Sequence, residues 1–231
     1  MLTPHANHDL HRRAIGGTLV FLVVLWILIF VPGGSLRYWQ AWLFWLHFCA
    51  WTLGGALYFL RKDPALVERR LRAGPTAERE PSQKRIQLFT SIAIVALFVV
   101  AALDHRFGWS IVPLWGIAAG HVLIAIGYVV MFKVFRENSF AASTIEVASE
   151  QKVASTGPYG LVRHPMYAGA IVMFAGIPLA LGSWWGLILV LFLLLGLAVR
   201  LLDEEAFLAR NLPGYADYMQ KVRYRLVPFV W

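Results

Sequence analysis

The chain has 231 residues, 59% of them hydrophobic and only 15% charged, a balance far more apolar than a soluble globular domain carries. The formal charge of +8 would suggest nucleic acid in a soluble chain, but here the basic residues sit in alternate loops between apolar runs, which points to a membrane instead. A single cysteine, Cys49, excludes an intrachain disulfide, a cysteine-rich metal site and a Cys-Xaa-Xaa-Cys redox pair.

Apolar runs long enough to cross hydrocarbon predict spans at about 14–31, 39–60, 87–103, 111–132, 166–182 and 184–202. Each is read as a helix, because only helices or closed barrels satisfy backbone groups in lipid and no run alternates as a barrel strand does. The first is too long and too poorly flanked for a cleaved signal peptide, since Pro32-Gly33-Gly34-Ser35 leads straight to Arg37 and the next run. His47 and His121 sit singly in spans two and four and read as buried, satisfied histidines. The basic stretch from Arg61 to Arg85, interrupted by Pro64, Pro75 and Pro81, reads as an amphipathic or irregular loop attracted to anionic headgroups.

Asp104-His105-Arg106 falls in the short link after the third span and reads as solvated. Spans three and five are the shortest, with Pro178 near the end of the fifth, so either could be re-entrant. Spans five and six meet at Gly182-Ser183-Trp184-Trp185, too short a link for anything but a tight helical hairpin. The expected fold is an all-α, multi-pass transmembrane bundle of about six spans, or five and a re-entrant segment, ending in a helical hairpin. Six crossings put both termini on one side. That side then holds 19 of the Lys and Arg residues, leaving only Arg37 and Arg106 opposite, so the termini are expected in the cytoplasm and the protein in an inner membrane. The chain reads as one membrane domain, 1–231, with transmembrane helices over 1–135 and a chemistry-bearing region over 136–231.

In that second region Gly157-Pro158-Tyr159 and Arg163-His164-Pro165-Met166-Tyr167 form a turn that delivers the chain to span five. Pro165 suits a first helical turn, which would place Arg163 and His164 at a positive helix end that attracts a carboxylate or phosphate. An Arg-His pair beside a membrane is more often merely interfacial, but Tyr159 and Tyr167 bracket this one and offer faces for stacking and hydroxyls to donate. After span six, Arg200 and Glu204 are four apart and share a helix face. Asp203-Glu204-Glu205, expected at that helix's C-terminus, would oppose its dipole, which suggests a use. No His-Glu-Xaa-Xaa-His, glycine-rich phosphate loop or Gly-Xaa-Ser-Xaa-Gly elbow occurs, and no metal site is expected.

Together these residues resemble the isoprenylcysteine carboxyl methyltransferase family and its phospholipid methyltransferase relatives, membrane enzymes that use S-adenosylmethionine. The resemblance covers roughly residues 136–231. It rests on Gly157-Pro158-Tyr159 with Arg163 to Tyr167, on Arg200 with Glu204-Glu205, and on Tyr215 and Tyr218 ahead of Pro228. It implies a cofactor pocket built by Gln151, Lys152, Val153 and Ala154 through backbone groups, by Tyr159, by Arg163, His164, Pro165, Met166 and Tyr167, and by Glu204. It also implies that Arg200 stands near the methyl acceptor, where a guanidinium could orient a carboxylate, and that Asn138-Ser139-Phe140 forms the entry.

The expected activity is methyl transfer from S-adenosylmethionine to a prenylated or lipid-like carboxylate, with a phospholipid amine or a small thiol as alternative acceptors. Expected partners are the bilayer and a lipophilic acceptor, with no nucleic acid. The rival from another class is a non-catalytic scaffold or transporter subunit that keeps the hairpin for packing. A transporter would want broken helices with polar residues near mid-membrane in both halves, whereas here they gather in one.

Overall fold

In a computed structural model the described residues, 4–74, 76–78, 81–141, 144, 147 and 150–231, form eight α-helices and no strand. They are α1 (Pro4–Gly33), α2 (Trp39–Lys62), α3 (Pro64–Leu71), α4 (Pro81–Phe107), α5 (Leu114–Glu137), α6 (Pro165–Ala180), α7 (Gly186–Asn211) and α8 (Tyr215–Lys221), with a 3₁₀ turn at Gly157–Gly160. Proline opens α3, α4 and α6, where its missing N–H costs nothing and its fixed φ suits the first turn. Asp63 also caps α3 by accepting from the Leu66 amide at 3.0 Å. Pro75 and Arg79, which belong to the predicted basic loop, lie outside the described residues.

All six predicted spans are helical, and five helices are long and apolar enough to cross a membrane. The third span is not short: α4 has 27 residues and begins six residues before the predicted start. Hydropathy marks where the apolar stretch lies, while the helix continues through polar residues that water can solvate. The fifth is short as expected. At 1.5 Å per residue the 16 residues of α6 reach roughly 24 Å, less than the roughly 30 Å of a hydrocarbon core. Phe44, Leu97, Ile124, Ile177 and Leu193 are buried at the centre of the bundle, while Val20, Leu46, Ile92, Leu191 and Leu195 face outward as lipid would require.

What seats α6 is its packing against α5, backbone on backbone. A Cβ added at Gly120 would lie 2.4 Å from the Ala180 nitrogen, one at Gly176 2.5 Å from the Gly120 carbonyl oxygen, and one at Gly127 2.6 Å from the Met173 Cβ. Small residues allow this approach, and in lipid such close packing is a main source of helix association. The approach also carries the turn before α6 to the same end of the bundle as Asn138 and Phe140, just past the end of α5.

Two expectations are corrected. Asp104 is not solvated: it is fully buried in α4 and accepts from the Ser110 amide at 2.7 Å, the Ser110 hydroxyl at 2.6 Å and the Ser183 hydroxyl at 2.5 Å, tying the α4–α5 link to the α6–α7 link. Nor do the histidines act singly. His47 Nδ1 lies 2.9 Å from His121 Nδ1, and because Trp51 Nε1 donates to His47 Nε2, the His47 proton sits on Nδ1 and points at His121.

If the α5–α6 contact seats α6, Gly176→Leu should lower the thermal midpoint of the detergent-solubilised protein by the equivalent of about 1–3 kcal/mol or more. Gly16→Ala, whose added Cβ meets nothing within 4 Å, should leave that midpoint unchanged or slightly raised.

Candidate active site

Three distant parts of the chain meet at one buried carboxylate. Glu205 of α7 is 4% exposed, and Arg163 Nε lies 2.7 Å from its Oε1, with His164 Nε2 3.2 Å from the same oxygen. Arg225, in the tail after α8, donates through Nε to Oε2 at 2.8 Å. Backbone bonds reinforce the junction, since the Arg163 amide donates to the Tyr224 carbonyl and the His164 amide to the Arg225 carbonyl, both at 2.9 Å. The anion expected at the start of α6 is therefore the protein's own Glu205, with the neighbouring amides already engaged by the tail.

A second cluster stands one turn away. The Tyr167 hydroxyl donates to Glu204 Oε2 at 2.5 Å and accepts from Arg200 Nε at 3.2 Å, so Arg200 and Glu204 meet through it. Arg200 further donates to Gln87 at 2.7 Å and Gln83 at 3.2 Å, and pairs with Glu78 at 2.6 Å. Glu78, 3% exposed, comes from the loop before α4 and had no distinguishing signal in the sequence. Asp203 accepts from Gln83 at 2.8 Å. The three acids do not end the helix, because α7 runs on to Asn211. Each has its own donors, and an argument from the helix dipole is not needed.

Beside both clusters lies a cavity with about 750 Å³ of space between atoms, part of it open to solvent. Gln151, Lys152, Val153 and Ala154 border it along a strap without regular secondary structure, as do Tyr159, Arg163, His164, Pro165, Met166, Tyr167 and Glu204. Arg200 stands behind this wall, one side chain back through Tyr167, and of the expected entry Asn138 and Phe140 line the cavity while Ser139 does not. The opposite wall is Leu208, Leu212, Tyr215 and Tyr218, which pack with Val153 and Tyr159. Tyr218 donates to the Tyr159 carbonyl at 2.7 Å, and Asn138 donates to the Tyr159 hydroxyl at 3.1 Å. The sequence places Tyr215 and Tyr218 after Pro213-Gly214 but carries no signal of the part each takes in this wall.

The Tyr215 hydroxyl is buried with no partner among the described residues, and Tyr215 is one of the residues lining the cavity. A buried hydroxyl left unpaired is costly, so this one suits a ligand that supplies the missing bond. Burial, only partly offset by the hydrogen bond from Asn138, pushes the Tyr159 hydroxyl up to about 12. Burial raises Tyr215 and Tyr218 as well. All three stay protonated and able to donate at neutral pH.

Residues 115–213 match the family model of phospholipid methyltransferases. The match takes in α5, the 3₁₀ turn, α6 and α7, which carry most of the cavity wall. No curated protein matches the chain.

Two outcomes follow from this geometry. Glu205→Ala should destabilise the protein by about 3–5 kcal/mol, because it strands buried cations, as read from denaturant midpoints. Tyrosines raised above their unfolded value near 10 contribute stability below that pH and lose it as pH climbs through the folded value. Melting temperature should therefore fall between about pH 10 and 12, and Tyr159→Phe should flatten part of that fall.

Proposed function

We propose that this chain is a membrane methyltransferase that holds S-adenosylmethionine in the cavity between α6, α7 and α8 and methylates a lipid-like acceptor. The observation that carries the reading is that segments at 151–154, 159–167 and 204–218 enclose one cavity furnished with a carboxylate, Glu204, and an unpartnered hydroxyl, Tyr215. The family match over the same wall supports it.

The residues fit that cofactor. Glu204, half-buried and paired with no cation among the described residues, offers negative charge to a positively charged ligand. The Tyr159 and Tyr215 rings offer faces for a sulfonium or a purine. The strap at 151–154 supplies backbone donors and acceptors. When bound, S-adenosylmethionine supplies an already electrophilic methyl group, so the protein's task is to align the acceptor and exclude water. Arg200, charge-balanced by Glu78, orients Tyr167 and through it Glu204, and so acts as a positioning residue.

A prenylated or lipid-like carboxylate would need no base. A phospholipid amine would have to lose a proton, and Glu204 is the observation that favours this second reading, since its second oxygen could receive one. The basic residues crowding one end of the bundle support a cytoplasmic cofactor entrance and cytoplasmic termini. The cofactor-binding region then corresponds to 136–231, with Glu78 contributed from the preceding part.

Calorimetry with S-adenosylhomocysteine tests the reading directly. The detergent-solubilised wild type should bind, Glu204→Ala should bind at least tenfold more weakly, a loss of about 1.4 kcal/mol, and Tyr215→Phe should weaken binding by a smaller factor. A folded wild type that gives no heat removes the proposal in favour of a scaffold.

A further inference from the structure

Beyond α8 the chain passes from charged to apolar within a few residues. Lys221 and Arg223 are exposed and pair with no acid among the described residues, and no Asp or Glu follows Asp217 in the sequence. Val227, Phe229 and Val230 then stand 51%, 87% and 78% exposed, although they belong to no transmembrane span. An apolar patch in such a place marks an interaction surface. The turn that presents it is built by the backbone: the Val230 and Trp231 amides donate to the Val227 carbonyl at 3.2 and 3.1 Å, and those of Arg225, Leu226 and Val227 donate to the Trp231 main-chain oxygen at 2.9, 2.9 and 3.1 Å. Phe229 takes a φ of 65° within it, the one positive value among the described non-glycine residues. That conformation is costly for a bulky side chain, and strain held in place by its surroundings points to a use.

The depth of the turn follows from its attachment to α6. Bonds from the Arg163 and His164 amides to the Tyr224 and Arg225 carbonyls pin the chain, just before the turn, beside the first residue of α6, Pro165. Because α6 carries no charged side chain and reaches only roughly 24 Å, less than a hydrocarbon core of roughly 30 Å, it has no length to spare beyond the apolar layer. Its start lies at the hydrocarbon boundary, and a turn pinned there meets headgroups and upper acyl chains. The turn is also tied to the candidate site. Arg225 Nε donates to Glu205 Oε2 at 2.8 Å while its guanidinium lies 5.4 Å from the centre of the Trp231 ring, and the Tyr224 and Phe229 rings are 5.3 Å apart. Holding the turn therefore holds Arg225.

We infer that residues 226–231 form an interfacial anchor, in which Val227, Phe229 and Val230 insert beneath the headgroups of an anionic leaflet, Lys221 and Arg223 face those headgroups, and the insertion keeps Arg225 seated on Glu205. Charge and depth together select a lipid surface as the occupant. Cations without acid partners match anionic headgroups, and aromatic and aliphatic side chains favour the boundary between headgroup and acyl chain. A second copy of this chain would bring the same cations to the contact and be repelled. The inference stands apart from the methyltransferase reading, because it needs no cofactor. Its consequence for the candidate site is that the junction between the tail and the start of α6 is tighter on an anionic membrane than off it.

Spin labelling of the full chain, with Cys49 replaced by alanine, tests the insertion in nanodiscs of phosphatidylcholine and phosphatidylglycerol. A nitroxide on Phe229→Cys should collide more often with oxygen, which concentrates among acyl chains, than with a water-soluble nickel chelate. A label reached mainly by the chelate would overturn the anchor, and one shielded from both would assign the turn to a protein partner and overturn it equally. Phe229→Asn tests the link to Glu205, because asparagine accepts a positive φ and the turn persists without its largest apolar side chain. In peptides covering 163–167, hydrogen exchange in nanodiscs should quicken by about fivefold or more in Phe229→Asn, and should quicken in the wild type when phosphatidylglycerol is left out. An unchanged rate in the variant would overturn the coupling, and an unchanged rate without phosphatidylglycerol would overturn the anionic leaflet. In detergent, where no leaflet exists, the variant should melt with the wild type; a lower midpoint there would make Phe229 a packing residue and overturn the anchor.

Discussion

The architecture of the candidate active site depends on one buried carboxylate. Glu205 gathers Arg163 and His164 from the start of α6 and Arg225 from the C-terminal tail, so a single side chain on α7 fixes two other segments against it. Buried ions are expensive to desolvate, and such an arrangement is maintained only when every member is paired. Here the partners lie 20 to 42 residues from Glu205 in the chain, which makes the cluster a test of the tertiary fold and not of local sequence. Once it forms, the tail crosses the start of α6, α8 closes over Tyr159, and the strap at 151–154 is left as the remaining wall of a cavity.

Next to this paired cluster stands Glu204, one residue earlier and turned to a different face. That contrast follows from helix geometry: neighbouring residues on α7 point about 100° apart, so Glu205 faces the α6 start and the tail while Glu204 faces Tyr167 and the cavity. The same helix carries Arg200 one turn earlier, where Glu78 and two glutamines absorb its charge. One helix thus presents a buried, paired anion, a cavity-lining anion and a charge-balanced cation within six residues.

Much of this was legible from the sequence because lipid leaves the backbone few options. Six apolar runs gave six helices, and Tyr159, the residues from Arg163 to Tyr167 and Glu204, which resemble a known family, line a single cavity. The pattern failed where polar partners come from afar. Nothing near Asp104 announces that Ser110 and Ser183 will bury it, nothing in the basic loop marks Glu78 as the counterion of Arg200, and periodicity cannot show that His47 and His121 face each other across two helices. Helix ends differ from the expectation for a related reason: hydropathy reports the hydrocarbon boundary, whereas α7 continues to Asn211 and carries the three acids well inside it. Glycines told more than composition suggests, closing the gap between α5 and α6 at Gly120 and Gly176 and opening one on α2 at Gly54 and Gly55.

Hydrogen–deuterium exchange with and without S-adenosylhomocysteine tests most directly whether the strap, the α6 entrance and α8 form one ligand cavity. The account predicts slowed exchange together in peptides covering 151–167 and 212–221, with the outer ends of α1 and α2 unaffected. Protection absent from both segments, or confined to α2 around Gly54 and Gly55, would contradict it.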